Sequence, residues 1–118
     1  MEQRRTAGTL AESLAALFLQ LQGIEVLQRN IACAGVEVDL LARQGTCLLI
    51  VEVKLRKPSD RFSALQALGG PQKRRLRRAA GWTLERCLWA RSVRIDVVGV
   101  SSRVGATRLV IEHLRGVE

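Results

Sequence analysis

Tyrosine is missing from these 118 residues, and aromatics of every kind amount to 3%. This speaks against a binder that stacks bases on an aromatic platform; if a polynucleotide is the partner, backbone and shape are the expected targets. Cysteine is sparse as well. Cys33, Cys47 and Cys87 are odd in number and widely spaced, so they make neither a CxxC metal site nor a disulfide framework. Free thiols suit a reducing cytoplasm, where the protein is expected to reside. His113 stands alone and reads as structural or exposed rather than as a ligand. Long apolar runs are also absent. The longest helical one, Leu10 to Leu21, is interrupted by Glu12 and Gln20 and is too short to span a bilayer, so no membrane partner is expected. The start, Glu2-Gln3-Arg4-Arg5, has no small-residue cleavage site after that run, and no secretory signal is read.

What is present suffices for a single domain over residues 1–118 with one hydrophobic core, since 47% of residues are apolar. The net charge of +8 is lopsided: residues 1–60 carry seven Lys/Arg against seven Asp/Glu, and residues 61–118 carry twelve against four. The second half therefore offers a face to a polyanion. Leu10, Leu14, Leu17, Phe18 and Leu21 recur at helical spacing and predict a helix over Thr9 to Gln22, ended by Gly23. Strands are expected at Ile24–Asn30, Gly35–Arg43 and Thr46–Lys54, the last two forming a hairpin through Gln44-Gly45. A loop region from Pro58 to Pro71, with room for a short helical turn, leads into a helix from Pro71 to about Leu88. Strands Val93–Val100 and Arg108–Leu114 follow, around a turn containing Gly105. The order α-β-β-β-α-β-β predicts an α/β fold with one mixed central sheet flanked by helices.

The most apolar strand ends in charge, "LLIVEVKLRK", with Glu52 and Lys54 one residue apart. If Gln44-Gly45 is the loop, Arg43 faces Thr46, Asp39 opposes Ile50 and Glu37 opposes Glu52. Alternation then projects Glu37, Asp39, Glu52 and Lys54 from one face, shared with Leu41, Leu48 and Ile50. Asp39 and Glu52 become diagonal neighbours, their Cα atoms roughly 7–8 Å apart. Carboxylates so placed repel one another, and partial burial adds to the conflict. A divalent cation relieves it, and Asp and Glu are the hard oxygen donors that Mg²⁺ takes. Lys54 would point at the same spot, to hold a water or to stabilise a phosphorane-like transition state. The plainer alternative is that Lys54 merely neutralises Glu37 or Glu52 on a solvated sheet edge.

Other candidates carry the same double reading. Thr9-x-x-Glu12 fits a capping box, in which Glu12 serves only the helix start. Lys73, Arg74, Arg75, Arg77 and Arg78 surround Leu76 on the second helix, whose apolar side holds Leu76, Ala80, Thr83, Leu84 and Cys87. An ordinary solvated face would be charge-balanced; unbalanced like charges four apart repel, which favours phosphate contact. Lys73 lies near the boundary of that face, with Gln72 beside it as an accessory candidate. Arg56 and Lys57 are either backbone-contacting or plain loop charges. Arg94 and Asp96 share a strand face and are expected to pair, while Trp82 and Trp89 are expected to pack.

Asp39…Glu52-Val53-Lys54 resembles the PD-(D/E)xK nuclease signature. Gly8, Glu12, Ala15, Leu19, Gly23, Arg29-Asn30, Glu37-x-Asp39, Val51-Glu52-Val53-Lys54, Arg56, Lys73, Leu76, Ala80 and Arg94-x-Asp96 fall in order around it. This string resembles the YraN family of small bacterial proteins, similar in fold to restriction endonucleases and Holliday-junction resolvases. The chain departs from that pattern where Val36 separates Gly35 from Glu37, which bears on Glu37 as an accessory residue. The resemblance implies a restriction-endonuclease-like domain that hydrolyses phosphodiesters of structured or branched DNA with Mg²⁺ or Mn²⁺. It implies Asp39 and Glu52 as metal ligands, Lys54 as their catalytic partner and Glu12 beside them from the first helix. A homodimer follows only by analogy with resolvases. A module that binds nucleic acid without cleaving it keeps the same fold.

Overall fold

Alternating branched and polar residues make strands, and alanine- and leucine-rich stretches make helices. In the computed structural model, which describes residues 2–56, 68–102 and 109–117, the elements are α1 (Glu2–Leu21), β1 (Glu25–Cys33), β2 (Val36–Gln44), β3 (Cys47–Arg56), α2 (Gly70–Arg86), β4 (Ser92–Ser102) and β5 (Leu109–Leu114). The order is the expected α-β-β-β-α-β-β. Lys57, the loop from Pro58 and the Gly105 turn lie outside the described residues.

The strands form one sheet in the order β1-β2-β3-β4-β5. Its pairs are antiparallel except for β3 and β4, which run parallel from Cys47↔Ser92 to Arg56↔Ser101. A parallel step needs a crossover, and α2 lies within it. The sheet is mixed and covered on both faces, an α/β architecture compatible with a nuclease-like fold. On one face Leu41, Leu48, Ile50, Ile95 and Val97 pack with Leu76, Ala79 and Ala80 of α2. On the other, Leu40, Ala42, Leu49, Val51, Val98 and Val100 pack with Ala11, Ala15, Ala16 and Leu19 of α1.

Three local features set the site. The β1–β2 hairpin turns on Ala34 (φ 53°) and Gly35 (φ 77°), both positive as a two-residue type I′ turn requires. The β2–β3 loop is Gly45-Thr46, not Gln44-Gly45: Gln44 pairs with Cys47 and Arg43 with Leu48. Gly45, at φ 62°, takes the first loop position, where a turn of this kind favours glycine. The third feature is a break in alternation. Val36, Val38 and Leu41 all belong to the α2-side core, whereas Leu40 and Ala42 face α1. β2 therefore kinks between Val38 and Leu41, at Asp39. On β1, Asn30 sits between the pairs Arg29↔Leu40 and Ile31↔Val38, opposite Asp39, with φ at 53°. Asparagine tolerates this left-handed conformation better than other residues with a side chain.

The first helix differs from expectation. It begins at Glu2, so Thr9 and Glu12 lie in its interior and form no capping box. Three leucines of the expected core stripe also point outward: Leu10, Leu17 and Leu21 are 59%, 53% and 79% exposed, while Leu19 is buried. Alanines take the sheet-facing side, where their small size lets the helix approach closely.

Candidate active site

The β2–β3 ladder runs from Gln44↔Cys47 to Leu40↔Val51. Continued by one pair, Asp39 falls directly opposite Glu52, closer than the diagonal placement expected from the sequence. The observed register differs from the expected one by two residues, and an even shift preserves the face. Here a side chain replaces a ladder bond: the Val53 N–H donates to Asp39 Oδ2 at 2.8 Å. That bond fixes the Asp39 carboxylate over the fork between the strands.

Asp39 and Glu52 both line a hollow of about 380 Å³ on the α2 side, with Gly35, Val36, Glu37, Gln72, Arg75 and Leu76 completing its wall. Glu52 is only 14% exposed, and the Lys54 Nζ lies 3.7 Å from its Oε1. Burial first, then the charge of Asp39 and a hydrogen bond with it, push the Glu52 carboxyl up to about 7; Lys54 offsets part of this. The rise corresponds to about 3 kcal/mol against the ionised form. Lys54 Nζ also donates to Gln72 Oε1 at 3.2 Å, linking β3 to the first turn of α2.

The remaining site candidates separate into groups. Gln72 and Arg75 reach the hollow; Arg74, Arg77 and Arg78 are exposed along α2, and Lys73 is half-buried there. Glu37 is exposed at the rim, and by the same ladder count it falls opposite Lys54 rather than Glu52. Val36, which separates it from Gly35, is a buried core residue. Arg56 ends β3, half-buried and paired with Ser101. Glu12 does not line the hollow. It stands on the helix packed against the opposite face, where its Oε1 accepts a bond from Asn30 Nδ2 at 3.1 Å. Asn30 itself was legible only as part of a motif string; a left-handed residue facing an acid has no signature in hydropathy.

A second charged cluster holds the far end of the sheet. Arg94 grips Asp96 with two bonds, Nε to Oδ1 at 2.8 Å and the guanidinium NH2 to Oδ2 at 3.0 Å. His113 Nε2 lies 2.8 Å from Asp96 Oδ2, and the Gly116 N–H donates to Oδ1 at 3.0 Å. Burial alone would raise the Asp96 carboxyl, but these bonds and the Arg94 charge outweigh it and hold it below the ordinary carboxylate value. His113 is thus structural, as expected, and Arg94 and Asp96 pair. Trp89 packs against the α2-side core beneath the Arg43 guanidinium, and Arg86 covers Trp82.

The donor set at the hollow suits a hard divalent cation. Two carboxylates meet there, one of them held away from ionisation by burial first and by the charge of the other second, and a bound cation would offset both. Among the described residues no group of three or more His, Cys, Asp or Glu side chains converges, so any ion would complete its shell with water or substrate oxygens.

Residues 11–100 match the model of the uncharacterised protein family UPF0102. The chain is similar to a UPF0102 protein of Beutenbergia cavernae, 43% identical over 99% of each chain. It is also similar to one of Mycolicibacterium vanbaalenii, 41% identical over 98% of this chain and 96% of the relative. A UPF0102 protein of Syntrophotalea carbinolica is 36% identical over 97% and 92%. Among the described residues no helix is long and apolar enough to cross a membrane.

Proposed function

The chain belongs to the UPF0102 family, and from that premise we propose that it is a divalent-metal-dependent endonuclease acting on structured or branched DNA, with the whole chain serving as one domain in the cytoplasm. One observation carries the reading: Asp39 and Glu52 share a hollow in which neither relieves the other's charge, with the Lys54 ammonium at its edge. Asp39 and Glu52 would hold Mg²⁺ or Mn²⁺. Such an ion, when bound, polarises a phosphoryl oxygen and acidifies a coordinated water.

The chain's own groups do the rest. The Val53 N–H fixes the angle of Asp39, and Gln72 keeps the Lys54 ammonium from swinging into solvent. Lys54 then faces the phosphate, where it orients the attacking water and stabilises the negative charge that builds on the phosphoryl oxygens. Arg75, in the same wall, holds a non-bridging oxygen. Arg74, Arg77, Arg78 and Lys73 hold neighbouring phosphates along the strand and supply affinity without sequence preference. With no tyrosine and few aromatics, recognition rests on backbone path, which suits junctions and flaps better than base sequence.

A cleavage panel tests this: purified protein with Mg²⁺ or Mn²⁺ on duplex, flap and four-way DNA, beside Asp39→Asn and Lys54→Ala. Metal-dependent cutting lost in both variants is expected; equal activity in both would reject the assigned chemistry. The second reading is a nucleic-acid-binding module that keeps the fold without cleaving. It is favoured by the small ligand set of two carboxylates and by the engagement of Lys54 with Glu52 and Gln72. Salt-sensitive binding with no cleavage of any substrate would select it.

A further inference from the structure

The inverted first helix carries the inference. Leu10, Leu14, Leu17 and Leu21 follow the 4-3-4 spacing of a coiled-coil seam, so they form one stripe along α1. A surface helix ordinarily turns such a stripe to its core. Here Ala11, Ala15, Ala16 and Leu19 are buried against the sheet, and the leucine stripe is presented outward with Leu14 partly covered. Leu27 of β1, itself 38% exposed, extends the stripe sideways across a groove. That groove has a volume of about 480 Å³ and runs between α1 and β1, with Ala16, Leu17, Val26 and Leu27 beside the polar Ser13, Gln20, Gln28 and Arg29.

We propose that this surface is the interface of a two-fold homodimer, with the α1 leucines of each copy seated in the α1–β1 groove of the other. The patch is self-complementary in shape: it offers both protruding leucines and a half-apolar groove beside them, as an isologous contact demands. It is self-compatible in charge, since Glu12 is the one ionisable residue between Gly8 and Ile24. The basic α2 surface, by contrast, would repel its own copy. The four exposed leucines of this patch, Leu10, Leu17, Leu21 and Leu27, present on the order of 400 Å² of apolar surface, about half of the roughly 800 Å² per partner in a standard interface. Between Gly8 and Ile24 the helix carries no Lys or Arg, and Arg29 of the groove is engaged with Ser13, which argues against a membrane surface as the occupant, because helices that lie on anionic lipid carry basic polar faces. The β1 edge lies beside the groove, so the contact would also shield an unpaired strand edge. Since α1 and α2 cover opposite faces, pairing through α1 leaves both hollows open.

Sedimentation of the full chain at micromolar to hundred-micromolar concentration reads the outcome. A species of twice the 13.0 kDa chain mass is expected, reverting to 13.0 kDa in the double variant Leu17→Glu/Leu21→Glu with unchanged circular dichroism. Oxidative crosslinking keeps the test open if that variant misfolds. Leu17→Cys is expected to give a disulfide-linked dimer, whereas the parent and Leu88→Cys, on a fully exposed site remote in sequence from α1, do not. A parent that stays monomeric throughout overturns the proposal. So does a folded double variant that remains dimeric, or crosslinking through Leu88→Cys in preference to Leu17→Cys.

Discussion

Replacing Glu52 with glutamine should stabilise the protein while removing a ligand, and the size of the gain follows from the site. The Glu52 carboxyl lies at about 7 in the folded chain against 4.5 as the ordinary value. Between those pH values the folded state binds more protons at this position than the unfolded state does. Stability is therefore fully present below pH 4.5 and is lost as pH rises through 7, a change of about 3 kcal/mol. Glutamine keeps the shape and hydrogen-bonding capacity but carries no charge. Lys54 then loses its partner at 3.7 Å, which returns part of the gain. Glu52→Gln is expected to exceed the parent by about 2–3 kcal/mol at pH 8, or on the order of 10 °C in Tm, and to match it at pH 4. Urea unfolding followed by Trp82 and Trp89 fluorescence at both pH values measures the difference. A variant less stable than the parent at pH 8, or one offset by the same amount at both, would refute the claim that Asp39 and Glu52 hold each other under electrostatic strain.

Three further outcomes are expected. Asp96 is fully buried and its carboxyl is held low, so its contribution is present above the ordinary carboxylate value and lost as pH falls through the lower folded one. Asp96→Ala strands Arg94 and His113 and should cost about 3–5 kcal/mol at neutral pH by urea unfolding, with the deficit shrinking in acid. Asn30 combines a left-handed backbone with an amide bond to Glu12. Asn30→Ala should therefore cost about 1–3 kcal/mol in thermal unfolding, and Asn30→Gly less, because glycine accepts the backbone conformation without strain. Arg75→Ala and Arg77→Ala should each reduce the salt slope of DNA binding by about 1, but only Arg75→Ala should also slow cleavage of bound substrate, because only Arg75 lines the hollow.

Strand placement was legible in the sequence because alternating Val, Leu and Ile against charge has no competing explanation; β2, β3, β4 and β5 begin or end within two residues of expectation. The shared face of Asp39, Glu52 and Lys54 was legible for the same reason, even though the turn lies one residue later than the sequence pattern suggests. Hydropathy does not distinguish Gln44-Gly45 from Gly45-Thr46; the pairing of Gln44 with Cys47 decides it. The kink at Asp39 and Asn30 was invisible, since it preserves register while exchanging faces, and only the packing of Val38 and Leu41 reveals it. Glu12 stays ambiguous in the sequence because a capping box and a mid-helix glutamate share the same letters. The orientation of α1 was hidden for a related physical reason. Periodicity locates an apolar stripe but does not say whether that stripe meets the chain's own core or a surface beyond it. The pairing of His113 with Asp96 joins strands far apart in sequence, which no local pattern encodes.

Direct titration of Mn²⁺ into the protein at pH 8, followed by the loss of the free-ion electron paramagnetic resonance signal, tests the site most simply. One ion per chain is expected, with binding lost in Asp39→Asn and retained in Lys54→Ala. No binding at millimolar Mn²⁺, or equal binding by the parent and Asp39→Asn, would contradict the assignment of the two facing carboxylates as a cation site.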